Sequence, residues 1–144
     1  MNVRNILKNK GSAVVTAGQE DTLQRIARLI ADHRIGAVVV VDAEGGPMGI
    51  VSERDIVNAL AAFGAAVLAM PAERVMTRAL ITCSRDQTAD ELLSVMTASR
   101  VRHLPVVEDG GLLGIVSIGD VVKMKLDEAA AEVGQLREYV MAGR

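Results

Sequence analysis

Two short strings in the chain carry residue types able to hold charged and hydroxylated groups. Ser52-Glu53-Arg54-Asp55 and Ser117-Ile118-Gly119-Asp120 each set a hydroxyl and a carboxylate three positions apart, directly after the apolar runs Gly49-Ile50-Val51 and Gly114-Ile115-Val116. That pattern marks a strand-to-helix corner, with Ser as the helix cap and Asp in the first turn. One reading of such a corner is purely structural: the two side chains satisfy orphan amides, and the carboxylate sits at the positive end of the helix. The other reading is chemical. The same amides and potential suit an anion, and a carboxylate fixed beside them can accept both hydroxyls of a ribose, as the acidic residue of dinucleotide folds does. Spacing alone leaves both readings open.

The corners belong to a duplication, and the elements that must position them repeat as well. Thr16, Thr22, Arg34, Val40 and Val41 return as Thr82, Thr88, Arg100, Val106 and Val107, 66 residues on, and the offset drops to 65 at the two Ser/Asp strings. The lost or gained residue lies in the Gly-rich loops Glu44-Gly45-Gly46-Pro47 and Asp109-Gly110-Gly111, where length changes cost least. Each copy reads as strand, helix, strand, strand, helix. In the first, the strands are 13–16, 37–41 and 48–51, and Asp21-Thr22 opens a helix with Leu23, Ile26, Ala27 and Ile30 on one face. In the second, the strands are 80–82, 104–107 and 112–116, and Thr88-Ala89-Asp90-Glu91 is a capping box ahead of Leu92, Leu93, Val95 and Met96.

Continuous apolar strands are covered on both faces. The expected fold is therefore α/β, in the α+β sense: two pseudo-twofold-related β-α-β-β-α repeats packed sheet to sheet. The units are 1–70, carrying an Ala-rich connector interrupted at Gly64, and 71–144, carrying a C-terminal helix. Units of about 70 residues are small to stand alone, so the two are expected to form one module. In the C-terminal helix Val122, Leu126, Ala129, Val133, Leu136 and Val140 make an a/d stripe. It spans less than three heptads and contains Gly134, and either packs on its own domain or forms a homodimer contact.

Composition narrows the function classes. With 50% hydrophobic and 24% charged residues the chain is globular, and its apolar runs are too short and too often broken for a membrane span. Its first residues lack the apolar stretch of a secretory signal, and a lone Cys83 suits a reducing, cytoplasmic setting. A net charge of −2 and 1% aromatic residues argue against a nucleic-acid surface, which needs cations and stacking platforms. His33 and His103 are the only histidines, and the sequence has no P-loop, no GxGxxG and no metal-ligand cluster. An enzyme is accordingly the least favoured class.

Taken together, Val75-Met76-Thr77, the capped helix, Arg102-His103-Leu104-Pro105-Val106-Val107 and Gly-Ile-Val-Ser-x-x-Asp resemble a tandem pair of cystathionine-β-synthase (CBS) domains, the Bateman module, of the small stand-alone bacterial type. The resemblance runs from about Val3 to Leu126 and is closer in the second repeat; the first has Gly36-Ala37 where the second has Arg102-His103. It implies a non-catalytic regulatory module that senses energy or redox state by binding AMP, ADP, ATP or NAD between the repeats, with no required cofactor. It also implies two clefts. In the main one, Asp120 anchors the ribose, Ser117 and Ile115 sit beside it, Arg102, His103 and Lys10 face the phosphate, and the base lies against Val15, Ile35, Gly36 and Ala37. In the second, expected to be weaker or different in ligand, Asp55, Ser52, Arg54 and Ile50 meet Val101, Ile81 and Thr82. The expected partners are an adenine nucleotide, a second copy of the chain, and another protein acting in trans. The alternative is a structural or dimerisation module with vestigial clefts.

Overall fold

The structure, a computed structural model, describes residues 1–11 and 13–143; Ser12 and Arg144, which fall in the two units drawn from the sequence, lie outside the described residues. Caps set the helix starts. Asn2 and Asn5 cap α1 (Val3–Lys10) reciprocally, Thr22 caps α2 (Leu23–His33), and Thr88 with Glu91 forms the box on α4 (Ala89–Ser99) that the sequence implies. Ser52 and Ser117 cap α3 (Glu53–Phe63) and α5 (Ile118–Ala142). The connector breaks at Gly64, whose φ of 75° stops α3, and continues as short 3-10 turns at Ala65–Ala69 and Ala72–Arg74.

The sheets differ between the repeats. In the first, β1 (Thr16–Gly18), β2 (Ala37–Val41) and β3 (Pro47–Ser52) form three strands, with β1 parallel and β3 antiparallel to β2. The first strand starts later than the 13–16 span expected, because its register runs from Thr16 opposite Val39 to Gly18 opposite Val41. In the second, only β4 (His103–Glu108) and β5 (Gly111–Ser117) pair as strands. The strand expected at 80–82 does not form: one parallel bridge joins Cys83 to Val106, through Cys83 N to Pro105 O at 2.9 Å and Val107 N to Cys83 O at 3.1 Å. Extending that ladder upstream needs an N–H from Pro105, which has none. The first repeat has Val39 at the matching place.

Each repeat is completed by the segment that precedes the other. The core of the second repeat, with Leu92, Leu104, Val106, Val116 and Val121, takes in Val3 and Ile6 of α1. The core of the first, with Leu23, Ile26, Val38, Val40 and Val51, takes in Val67, Ala72 and Met76 from the connector. Backbone bonds fix the exchange: Val3 N to Gln87 O at 3.0 Å on one side, Leu23 N to Met70 O at 2.9 Å and Ala72 N to Asp21 O at 2.8 Å on the other. Fully burying a residue such as Val3 or Met76 in the other unit's core is worth about 1.5–3 kcal/mol, so the crossing segments hold the halves together.

The 25 residues of α5 span about 37 Å at 1.5 Å per residue. Only Val121 and Met124 of that helix are buried, and every residue of the a/d stripe is exposed, Leu126 at 66% and Leu136 at 64%. Val57 and Phe63 on α3 are exposed as well. No helix among the described residues is long and apolar enough to cross a membrane.

Candidate functional site

Both Ser-x-x-Asp strings fold into the corner their spacing requires. Asp55 Oδ2 accepts from Ser52 N at 2.9 Å and from Ser52 Oγ at 3.0 Å, while Asp55 N donates to Ser52 Oγ at 3.2 Å. Asp120 Oδ2 accepts from Ser117 N at 2.9 Å, and Asp120 N donates to Ser117 Oγ at 3.2 Å. The capping role is thus realised at both corners. It engages one carboxylate oxygen and leaves Oδ1 to do something else.

What reaches each carboxylate is a residue from a crossing segment. At Asp55 it is Thr77, whose Oγ1 donates to Oδ1 at 3.2 Å and whose backbone pairs with Ile50 through bonds of 2.9 and 3.0 Å. At Asp120 it is Lys10, whose Nζ donates to Oδ2 at 2.7 Å and to Ile115 O at 3.0 Å. Burial alone would raise the Asp120 pKa, but the Lys10 hydrogen bond and charge together with the Ser117 amide outweigh it and hold the carboxyl below its ordinary value. One corner is therefore closed by an ion pair and the other by a neutral hydroxyl.

The larger opening lies at the Asp55 corner. A cavity of about 230 Å³ runs between Ser52, Arg54, Asp55 and Thr77 on one side and Val101, Arg102 and His103 on the other, with Gly36, Ile50, Glu53 and Arg100 completing it. Lys10 and Asp120 fall instead on a smaller depression of about 90 Å³ beside Asn5, Asn9 and Asp127. The sequence reading placed the Asp120 cleft first. Gly36, Arg102 and His103, assigned there to the Asp120 cleft, gather with Asp55, and the room left over Gly36 is occupied. A Cβ at Gly36 would lie 2.8 Å from His103 Nε2, so the imidazole already fills the slot meant for a flat ring. Lys10 Nζ likewise occupies Asp120 Oδ2, at 2.7 Å.

The remaining assigned residues are scattered. Val15 and Ile35 pack on the first core, Ala37 is buried in β2, Ile81 packs on the second core, and Thr82 is exposed; none of these lines the Asp55 cavity. Thr77, Glu53 and Arg100 line it without having been assigned there from the sequence. The Met-Thr pair was visible as a repeat start, but nothing local tells that Thr77 reaches Asp55, 22 residues away. Arg100 ends α4 in the left-handed conformation, φ 54°, and so turns the chain toward the cavity.

His103 sits between the two corners. Burial lowers its pKa, Glu53 and Asp120 pull it up, and Lys10 and Arg102 push it down; the net direction is down, so the ring is neutral at pH 7. No group of three or more His, Cys, Asp or Glu suited to a metal ion occurs among the described residues.

Two α+β repeats that exchange their lead-in segments and repeat one capped corner define a paired-repeat module. Residues 3–62 and 72–127 each match the CBS domain family, and the chain belongs to that family as a tandem pair. Among its relatives, a mitochondrial CBS domain-containing protein of Arabidopsis thaliana, CBSX3, is 30% identical over 98% of this chain and 72% of its own length. Among solved structures, the CBS-domain protein ATU1752 from Agrobacterium tumefaciens is 45% identical, covers 86% of this chain and 92% of its own, and superposes with a TM-score of 0.83. The CBS domain pair of protein MJ0100, solved in complex with 5-methylthioadenosine and S-adenosyl-L-methionine, is 27% identical over 89% of this chain and 98% of its own, with a TM-score of 0.79.

Proposed function

We propose that this protein is a non-catalytic regulatory module of the cytoplasm, built from units 1–70 and 71–144, that binds an adenine nucleotide in the cavity at the Asp55 corner. The observation that carries the reading is the cavity itself: both repeats line it, an acidic anchor and a helix N-terminus stand on one side, and cationic side chains stand on the other. In this reading Asp55 Oδ1 exchanges the Thr77 hydroxyl for a ribose hydroxyl, Ser52 and the first amides of α3 sit near the phosphate, and Val101 and Ile50 contact the base. The adenosine moiety is the part shared by the two ligands of MJ0100, which supports an adenosine-type ligand here.

A volume of about 230 Å³ is below the roughly 300–1,000 Å³ usual for small-molecule pockets. Binding must then open the joint, by moving His103 or the arginine side chains. Such an opening is what a regulatory module needs, because only a ligand with different affinity for two arrangements can shift them. The signal passes to another protein in trans and through a homodimer, in which the exposed stripe of α5 and the apolar residues of α3 meet a second copy.

Calorimetric titration with AMP, ADP, ATP, NAD and S-adenosyl-L-methionine tests the reading. Binding in the micromolar range that Asp55→Ala weakens at least tenfold, with Asp120→Ala changing it less, is the expected result. If no adenine compound binds and Asp55→Ala is silent, the module is a structural one. Light scattering of Leu136→Glu against the parent chain checks the second copy: the parent is expected to be a dimer and the variant a monomer.

A further inference from the structure

Helix α5 outlasts the module that carries it. The match to the CBS family ends at residue 127. The last side chains of α5 tied to the rest of the chain are Lys125, 2.9 Å from Asp90, and Glu128, 3.8 Å from the N-terminal amine. From Ala129 to Ala142 every residue is exposed, and none makes a side-chain hydrogen bond or ion pair among the described residues. A helix of that length with nothing beside it is marginal in water. With an apolar edge as well, it calls for a partner.

The residues of this segment say which partner. Leu126, Val133 and Val140 fall at a positions, and Ala129 and Leu136 at d. Valine at a with leucine at d is the combination that favours two parallel strands. Gly134 falls at b, on the outer face, where an added Cβ would meet nothing within 4 Å, so it leaves the seam whole. Beside the seam stand Glu132 at g and Arg137 at e. Neither has an opposite charge three or four positions away, the spacing at which side chains of one helix meet. Set parallel and in register, two copies bring Glu132 of each against Arg137 of the other, the g-to-e contact, once on either side of the seam. The antiparallel alignment that overlaps Val122 to Val140 in full instead sets Glu132 against Glu132 and Lys123 against Arg137. Sliding that alignment by one heptad leaves Arg137 against Ala130 and Glu132 against Tyr139, with no charge paired.

We propose that residues 126–140 of α5 form a parallel, in-register, two-stranded coiled coil with the same residues of a second copy. This rests on the homodimer reading above and adds the polarity of the pair. The coil holds two modules side by side with the same end leading. It starts at Leu126, about 9 Å along the helix from Asp120, so the Asp120 corners of both copies lie at one end of it.

The test places single cysteines in the full chain, as Leu126→Cys and Val140→Cys, and oxidises each variant in native buffer. The parent chain, whose one thiol is buried at Cys83, is the control. In the parallel coil each new thiol faces its own copy, so both variants should form covalent dimers. In either antiparallel alignment the paired thiols stand at least about 15 Å apart along the axis, beyond the reach of a disulfide, and neither variant should cross-link. Charge exchange is the second arm, read by sedimentation equilibrium, with circular dichroism to check folding. Glu132→Arg and Arg137→Glu should each raise the dimer dissociation constant about fivefold or more, as exposed pairs turned from attraction to repulsion do, and combining the two should restore it. A dimer in which neither thiol cross-links, or one that Arg137→Glu tightens, overturns the parallel coil and keeps the homodimer. A monomeric parent chain overturns both.

Discussion

The exchange of segments can be tested at two glycines. Gly114 and Gly49 occupy equivalent strand positions, and each lies under a residue of a crossing segment. A Cβ on Gly114 would stand 2.6 Å from Leu7 Cδ2, with the next Leu7 atoms at 3.5 and 3.6 Å. A Cβ on Gly49 would stand 2.7 Å from Met76 Sδ and 2.9 Å from Met76 Cγ, and also 2.9 Å from the backbone oxygen of Thr77. The difference decides the outcome. Leu7 is only partly buried and its end can rotate, whereas the Thr77 oxygen accepts from Ile50 N at 3.0 Å and cannot retreat without breaking that pair.

Overpacking costs about 1–3 kcal/mol, a hydrogen bond about 1 kcal/mol, and replacing a strand glycine by alanine returns about 0.5–1 kcal/mol through the unfolded chain. Gly114→Ala should therefore cost between about 0 and 1 kcal/mol and Gly49→Ala about 2–3 kcal/mol, on the same estimates. In thermal unfolding the second corresponds to a fall of roughly 5–10 °C and the first to at most about 3 °C. Urea denaturation of the two variants beside the parent is the assay, with Met76→Ala added to Gly49→Ala as a control that should recover little. A Gly114→Ala variant as unstable as Gly49→Ala, or full rescue by Met76→Ala, would refute the argument that the backbone of the crossing segment sets the approach.

Other outcomes follow from the charges. Removing Lys10 as Lys10→Ala should let the Asp120 carboxyl titrate higher by NMR and cost under about 1 kcal/mol, since the pair is partly exposed. Because the folded carboxyl is depressed, that contribution is present above pH 3.8 and is lost as pH falls through the folded value, so parent and variant should converge only in strong acid. For His103 the folded pKa is also depressed: stability is complete above pH 6.5 and declines as pH falls through the folded value. Urea midpoints in mild acid should drop for the parent and stay flat for His103→Gln; equal slopes would show that the ring is not desolvated. Burial pushes the Cys83 thiol up to about 11, so it should react with a thiol reagent only once denaturant unfolds the chain. Rapid reaction in native buffer would contradict its burial.

Much of the local structure was legible because its causes are local. Thr22, Ser52, Thr88 and Ser117 stand at helix caps, and apolar runs at 37–41 and 104–107 lie in β2 and β4. The strand missing at 80–82 was legible in principle, since Pro105 lies in the sequence; its effect needed the pairing partner, which only the fold supplies. Residues lining the Asp55 cavity divided along the same line. Ser52 and Asp55 could be picked out by type and spacing, and Arg102 and His103 by the family resemblance, which assigned them to the other cleft, whereas Thr77 and Arg100 could not, because their relevance depends on where a crossing segment and a helix end bring them.

By itself, then, the sequence determined the duplication, the capped corners and the family, all of which rest on interactions within a few residues or on internal comparison of the two halves. Tertiary structure decided which corner is open. Lys10 meets Asp120 across 110 positions, and His103 fills the space over Gly36 from the opposite repeat. Contacts at that separation are set by how two cores trade segments, a property of packing that no window of sequence contains.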